Sequence, residues 1–335
     1  MSHPASNTSL SLSTRLLCYL GPPSAILLTA VASPRTALLS PVASLPSVYF
    51  FQRWRKSKQS NPNIHGDLEP LIWTYALTGT LGLSTAALFQ ILILKVASPL
   101  LFRSPTMRKD FWTEFSRTNI LGLTTDQLAT RAQLAGSWQN LALMGIMTFV
   151  AAGLVEETLK YLPVAYARRR RANVREHQRG DRSYIDYAVA GTLSFSLIEM
   201  IGVVYTACES GNEGGLKLAL TVFERMVGQV GHLSVAVLTA LRAIRRDDYG
   251  DGLSWLGIVG PAVVLHGTND FVALAASALE GNVGWIHPSG LKITSLMMGL
   301  YSGVLGLAIG WVRKEWKSLN ERDRAVSVSP SDKKD

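Results

Sequence analysis

Cysteine is almost missing from this chain. Cys18 and Cys208 are the only two in 335 residues, too few and too far apart for a disulfide framework or a thiolate metal site. Acidic residues are absent from positions 1–66, and charged residues make up only 17% of the whole, against about 25% in a soluble domain. No zinc-finger spacing occurs and the basic residues sit in short runs beside apolar stretches, so the net charge of +9 gives no support for nucleic-acid binding. There is no HExxH helix and no internal repeat. What the chain has instead is apolar length: 47% hydrophobic residues and a mean hydropathy of +0.18. Several stretches approach the roughly 20 residues that cross a bilayer.

The apolar stretches are 16–32, 36–52, 70–98, 138–167, 184–207, 217–241, 253–278 and 291–312. They predict an all-α fold, a polytopic transmembrane helical bundle of about 8 spans. Seven is the alternative, because the first two contain Pro22, Pro23, Pro41 and Pro46 and are separated by Arg35 alone. The run ending Ala30-Val31-Ala32-Ser33 also fits a cleavable signal, but a first span is the expectation. The chain divides into N-terminal spans and loops (1–137), a helical core of catalytic type (138–312) and a polar tail (313–335), disordered from Lys317 by its composition.

Basic residues set the expected topology. Four lie in 53–58 and seven arginines in 168–182, Arg242, Arg245 and Arg246 follow the sixth span, and Arg313 and Lys314 follow the last. Loops 208–216 and 279–290 have neither Lys nor Arg. This alternation places the basic loops and the C-terminus in the cytosol. Segment 103–137 then lies outside, where Phe111, Trp112 and Phe115 suggest an interfacial amphipathic helix. Thr124 and Gln127 there read as a capping box. His65, His177 and His287 fall in loops and carry no expected role.

Charges at bilayer depth cost about 2.5–3.5 kcal/mol each on insertion scales and persist where they do a job. Span four carries Glu156, Glu157 and Lys160, span five Glu199, span six Glu224, Arg225 and His232, and span seven His266 and Asp270. Counted from the nearest basic-side charges, Glu157 lies roughly 16 Å deep, His232 roughly 15 Å, Glu199 roughly 20 Å and His266 roughly 22 Å at 1.5 Å per residue. Four residues on four helices therefore meet near the middle of a core about 30 Å thick, which predicts one buried polar centre. Glu156 with Lys160 and His266 with Asp270 are i,i+4 pairs. Arg225 and His232 are one heptad apart.

These motifs, in this order, resemble the PrsW intramembrane proteases, which are related to the CAAX prenyl-protease and bacteriocin-processing superfamily. Glu156-Glu157-x-x-Lys160 is similar to the family's first element. Gly191, Phe195-x-x-x-Glu199 and Tyr205 resemble the second, with Met200 where Asn is usual. Arg225 with His232 resembles the third, and His266-x-x-x-Asp270 the fourth, where the last position is often Asn. The resemblance covers roughly 140–310. It implies an all-helical membrane protein that cleaves membrane-associated proteins, with Glu156, Glu157, Glu199, His232 and His266 as catalytic positions and Lys160, Arg225 and Asp270 as supports.

Two mechanisms stay open. In the first, without metal, Glu157 is a general base tuned by Glu156 or Lys160, the histidines stabilise the oxyanion or protonate the leaving amine, and Asp270 orients His266. In the second, zinc is held by Glu157, His232 and His266, a His2Glu set. No cofactor is certain, and zinc is possible. The expected partners are a membrane-protein substrate and the lipid bilayer, with no nucleic acid. Buried carboxylates also suit a proton- or ion-coupled transporter, and an inactive membrane scaffold is a third class.

Overall fold

The computed structural model describes residues 10–61, 64–117, 120–172, 181–209, 215–288 and 290–328. The expected His177 loop, part of loop 208–216 and the end of the tail lie outside them. Among the described residues there are helices and no strands. They are α1 (Leu12–Ala32), α2 (Pro34–Ser60), α3 (Leu68–Leu101), α4 (Pro105–Phe115), α5 (Thr125–Ala135), α6 (Trp138–Arg171), α7 (Ser183–Glu209), α8 (Gly215–Tyr249), α9 (Trp255–Leu279) and α10 (Leu291–Val328). Seven of these, α1, α3 and α6–α10, are long and apolar enough to cross a membrane. The chain is an integral, multi-pass membrane protein.

Helix α2 is not among the seven, yet it runs the length of α7. Ala43 packs with Met200, Val204 and Cys208, and Trp54 packs with Tyr184 and Tyr187. Ser33 caps both α1 and α2, so the two form a hairpin, and Thr14 near its open end hydrogen-bonds Glu69 at the start of α3. Pro41 and Pro46 stay inside the helix. Membrane helices tolerate proline where neighbours or Ser and Thr side chains satisfy the freed carbonyls, and Ser40 Oγ donates at 2.8 Å to the Ala37 carbonyl, the one that Pro41 leaves without an amide partner.

The basic segments gather at one end of the bundle. The Arg182 amide donates to the Ile64 carbonyl at 2.8 Å, and Arg171 reaches Asp248 at 3.1 Å. Arg242 and Arg245 grip Glu315 at 2.9 and 2.7 Å. Asp251 takes Arg322 at 2.8 Å, and Arg182 pairs with Asp323. These ties explain a departure from the sequence reading. Helix α10 continues to Val328 where composition suggested a disordered tail, because Glu315, Arg322 and Asp323 each find a charge on the bundle.

At the opposite end, α4, α5 and the turn after α9 form a cap. Thr124 and Gln127 make the capping box. Arg131 is fully buried and donates to Glu114 Oε2 at 2.7 Å, to the Glu114 carbonyl at 2.8 Å and to the Val283 carbonyl at 3.0 Å. Burial pushes the Glu114 carboxyl up, but the hydrogen bonds and charges of Arg131 and Arg117 hold it below the usual carboxylate range. Phe111 is stacked on Phe102 with ring centroids 4.3 Å apart and is completely buried. It faces protein, so the expectation of an aromatic face lying on the membrane does not hold for Phe111.

Two π-helical stretches interrupt the spans, Thr78–Gly82 in α3 and Ile146–Leu154 in α6. Such bulges are rare and cluster at functional sites. The second ends at Leu154, two residues before Glu156. Close crossings lock its surroundings. A Cβ on Gly267 would lie 2.4 Å from the Phe149 ring, and one on Gly191 would lie 2.9 Å from Pro163. Only glycine lets α9 and α7 approach α6 this closely.

Candidate active site

Glu156, Glu157 and Lys160 follow the π segment on α6 and are all buried. At about 100° per residue they share one face, with Lys160 lying angularly between the two carboxylates. The ammonium therefore bridges them, 3.1 Å from Glu156 Oε2 and 3.0 Å from Glu157 Oε1. It also reaches His232 Nδ1 on α8 at 3.1 Å and sits 4.6 Å above the Phe195 ring of α7. A buried ammonium of this kind needs its charge met on several sides.

The two imidazoles stand edge to face, with ring centroids 4.9 Å apart. Each has one nitrogen toward the centre and one backed by a carboxylate. His266 Nδ1 is 2.8 Å from Glu157 Oε1, and its Nε2 is 3.3 Å from Asp270 Oδ2. His232 Nε2 is 3.2 Å from Glu199 Oε2 on α7, in ion-pair contact but off the line of a hydrogen bond. Arg225, one heptad before His232, lies 3.9 Å from the other Glu199 oxygen. The structure thus brings together Glu156, Glu157, Lys160, Glu199, Arg225, His232, His266 and Asp270.

A cavity of about 410 Å³ opens beside the centre. Glu156, Glu199, His232, His266 and Asp270 line it, with Asn269, Tyr301 and the open backbone of Gly228 and Gly231. Glu157 does not line it; its side chain is 1% exposed against 9% for Glu156. Gln90 lines the same cavity from α3 and donates from Nε2 to Glu156 Oε1 at 2.8 Å. Gln90 gives no signal in the sequence, because a neutral amide leaves no charge in an apolar run. His287, expected to have no role, meets through Nε2 the Oε1 of Glu224, a residue that lines the cavity, at 2.9 Å. His65 binds Asp186 at 3.0 Å and is an anchor between the start of α7 and the segment before α3.

The residues fit a divalent metal ion on three counts. Glu157, His232 and His266 offer ligand atoms that lie within 4.8 Å of one another. Two imidazoles and a carboxylate are a donor set of the zinc type, and a carboxylate behind each imidazole is the usual orienting device. Charge agrees as well. Four carboxylates (Glu156, Glu157, Glu199 and Asp270) face two cations (Lys160 and Arg225), leaving two negative charges with the imidazoles neutral.

Carboxylates and imidazoles gathered beside a cavity between membrane-crossing helices can support acid–base or metal chemistry at depth. The chain belongs to the PrsW family: the family model described as PrsW family intramembrane metalloprotease matches residues 70–298. That stretch runs from the start of α3 into α10 and so includes Gln90 and every charged residue of the centre. No curated protein and no solved structure shows significant similarity to the chain.

Proposed function

We propose that this centre hydrolyses a peptide bond in a membrane-associated protein substrate, most simply one with a single span. The observation that carries the reading is the contact of two adjacent glutamates, a lysine and two histidines beside a cavity large enough for a short stretch of chain. Water must reach the peptide at this depth, and the carboxylates and imidazoles that border the cavity give it polar partners.

In this reading Glu157, His232 and His266 hold a divalent ion, which when bound polarises the scissile carbonyl as a Lewis acid. Asp270 and Glu199 orient the two imidazoles. Glu156 accepts the proton of the attacking water and returns it to the leaving amine. The metal-free mechanism expected from the sequence gave the base to Glu157, whereas the zinc mechanism made it a ligand. What supports the exchange is that Glu156 lines the cavity, whereas Glu157 is sealed from it. A second reading needs no metal: Lys160 Nζ already lies between Glu157 and His232 and would stabilise the oxyanion through its charge.

The test is cleavage of single-span substrates by purified protein in liposomes. Wild type cuts and Glu156→Gln does not, with both folded to the same melting temperature. Wild-type cleavage by Glu156→Gln would overturn the reading, and loss of a proton-coupled flux in that variant would put a transporter in its place.

A further inference from the structure

Between Thr85 and Lys95, α3 carries one polar side chain, Gln90. Its neighbours Phe89, Ile91 and Leu92 are about half exposed on the outside of the bundle, while Gln90 lines the cavity. The assignment of its amide is fixed by the partner: a carboxylate oxygen accepts, so Nε2 faces Glu156 Oε1, at 2.8 Å. The other oxygen of Glu156 takes Lys160 at 3.1 Å. Among the described residues α3 makes no other hydrogen bond to the centre.

We propose that Gln90 is a positioning residue for the reaction, fixing the carboxylate of Glu156 from the side opposite Lys160. A carboxylate held at both oxygens keeps one rotamer. Held at Lys160 alone, it swings about that contact, and the proton acceptor moves by about 1 Å, a displacement that costs on the order of 100-fold in rate. Gln90 does this without adding charge beside two carboxylates. Lysine in its place would add a second ammonium, and glutamate a further anion. The inference rests on the reading of Glu156 as proton acceptor.

Gln90→Met keeps length and bulk and removes the donor, and its apolar side chain suits a membrane helix. The expected result is a fall in kcat of about 10- to 100-fold, with KM, metal content and melting temperature unchanged. A double-mutant cycle separates positioning from packing. In a Glu156→Asp background the shortened carboxylate no longer reaches Gln90, so Gln90→Met is expected to cost less than about twofold further. A wild-type kcat in Gln90→Met, a rise in KM alone, or an equal loss in both backgrounds would overturn the inference. Failure of the peptidase reading shows separately, as absence of cleavage by wild type, and failure of the Glu156 assignment shows as cleavage by Glu156→Gln.

Discussion

Replacing Lys160 with Gln tests the electrostatics on which the centre rests. Lys160 is 3% exposed, and its ammonium lies 3.0–3.1 Å from Glu157 and Glu156. At an effective dielectric constant near 20, each contact is worth about 5 kcal/mol of Coulomb energy. Desolvating the three charges offsets much of that, so the net value of the cluster is small. Removing the cation alone is a different matter, because it leaves two adjacent carboxylates buried without their counter-charge, a change that costs about 3–5 kcal/mol. Lys160→Gln should therefore melt well below wild type in detergent, measured by the fluorescence of its tryptophans. Glu156→Gln combined with Lys160→Gln removes one negative charge along with the positive one and should recover part of the loss. A single variant as stable as wild type would refute the assignment of Lys160 as the shared counter-ion.

Further consequences follow at the two ends of the bundle. Asp251 lies in the loop before α9, where hydrogen bonds from Arg322 and Arg245 hold its carboxyl below the usual range. A depressed carboxylate stabilises the fold above its unfolded pKa of about 3.9 and loses that contribution as pH falls through the lower folded value. The far end of α10 should thus keep high hydrogen-exchange protection factors from neutral pH to about 4 and, in Asp251→Asn, have low ones throughout; equal protection in wild type and variant would contradict the tie. At the other end, Arg131→Ala leaves Glu114 and the Val283 carbonyl without their buried donor, and the cap should lose about 3 kcal/mol, read as faster hydrogen exchange in α4 and α5.

The sequence disclosed most of the centre because charge is conspicuous in an apolar run. Glu156, Glu157, Lys160, His232 and His266 announced themselves by residue type, and the similar depths of Glu157, Glu199, His232 and His266 predicted one meeting point. Helix spacing gave the Glu156–Lys160 and His266–Asp270 contacts directly, and the Thr124 capping box was legible from local chemistry. Long-range packing was not. Gln90 carries no charge signal, and nothing local says that α3 turns it toward α6. The continuation of α10 to Val328 depends on partners far away in sequence, Arg242, Arg245, Asp251 and Arg182. The same holds for buried Arg131, whose acceptors include Val283. The division of labour between Glu156 and Glu157 turns on which one borders the cavity, a property of the fold rather than of neighbouring letters.

The account is tested most directly by measuring bound metal and cleavage together on one set of purified proteins. Wild type, Glu156→Gln, Glu157→Gln, His232→Ala and His266→Ala would be analysed by inductively coupled plasma mass spectrometry and assayed on the same single-span substrate in liposomes. The account predicts one divalent ion in wild type, the same ion retained in an inactive Glu156→Gln, and loss of both ion and cleavage in the other three. Undiminished cleavage by metal-stripped wild type, or by Glu156→Gln, would contradict it.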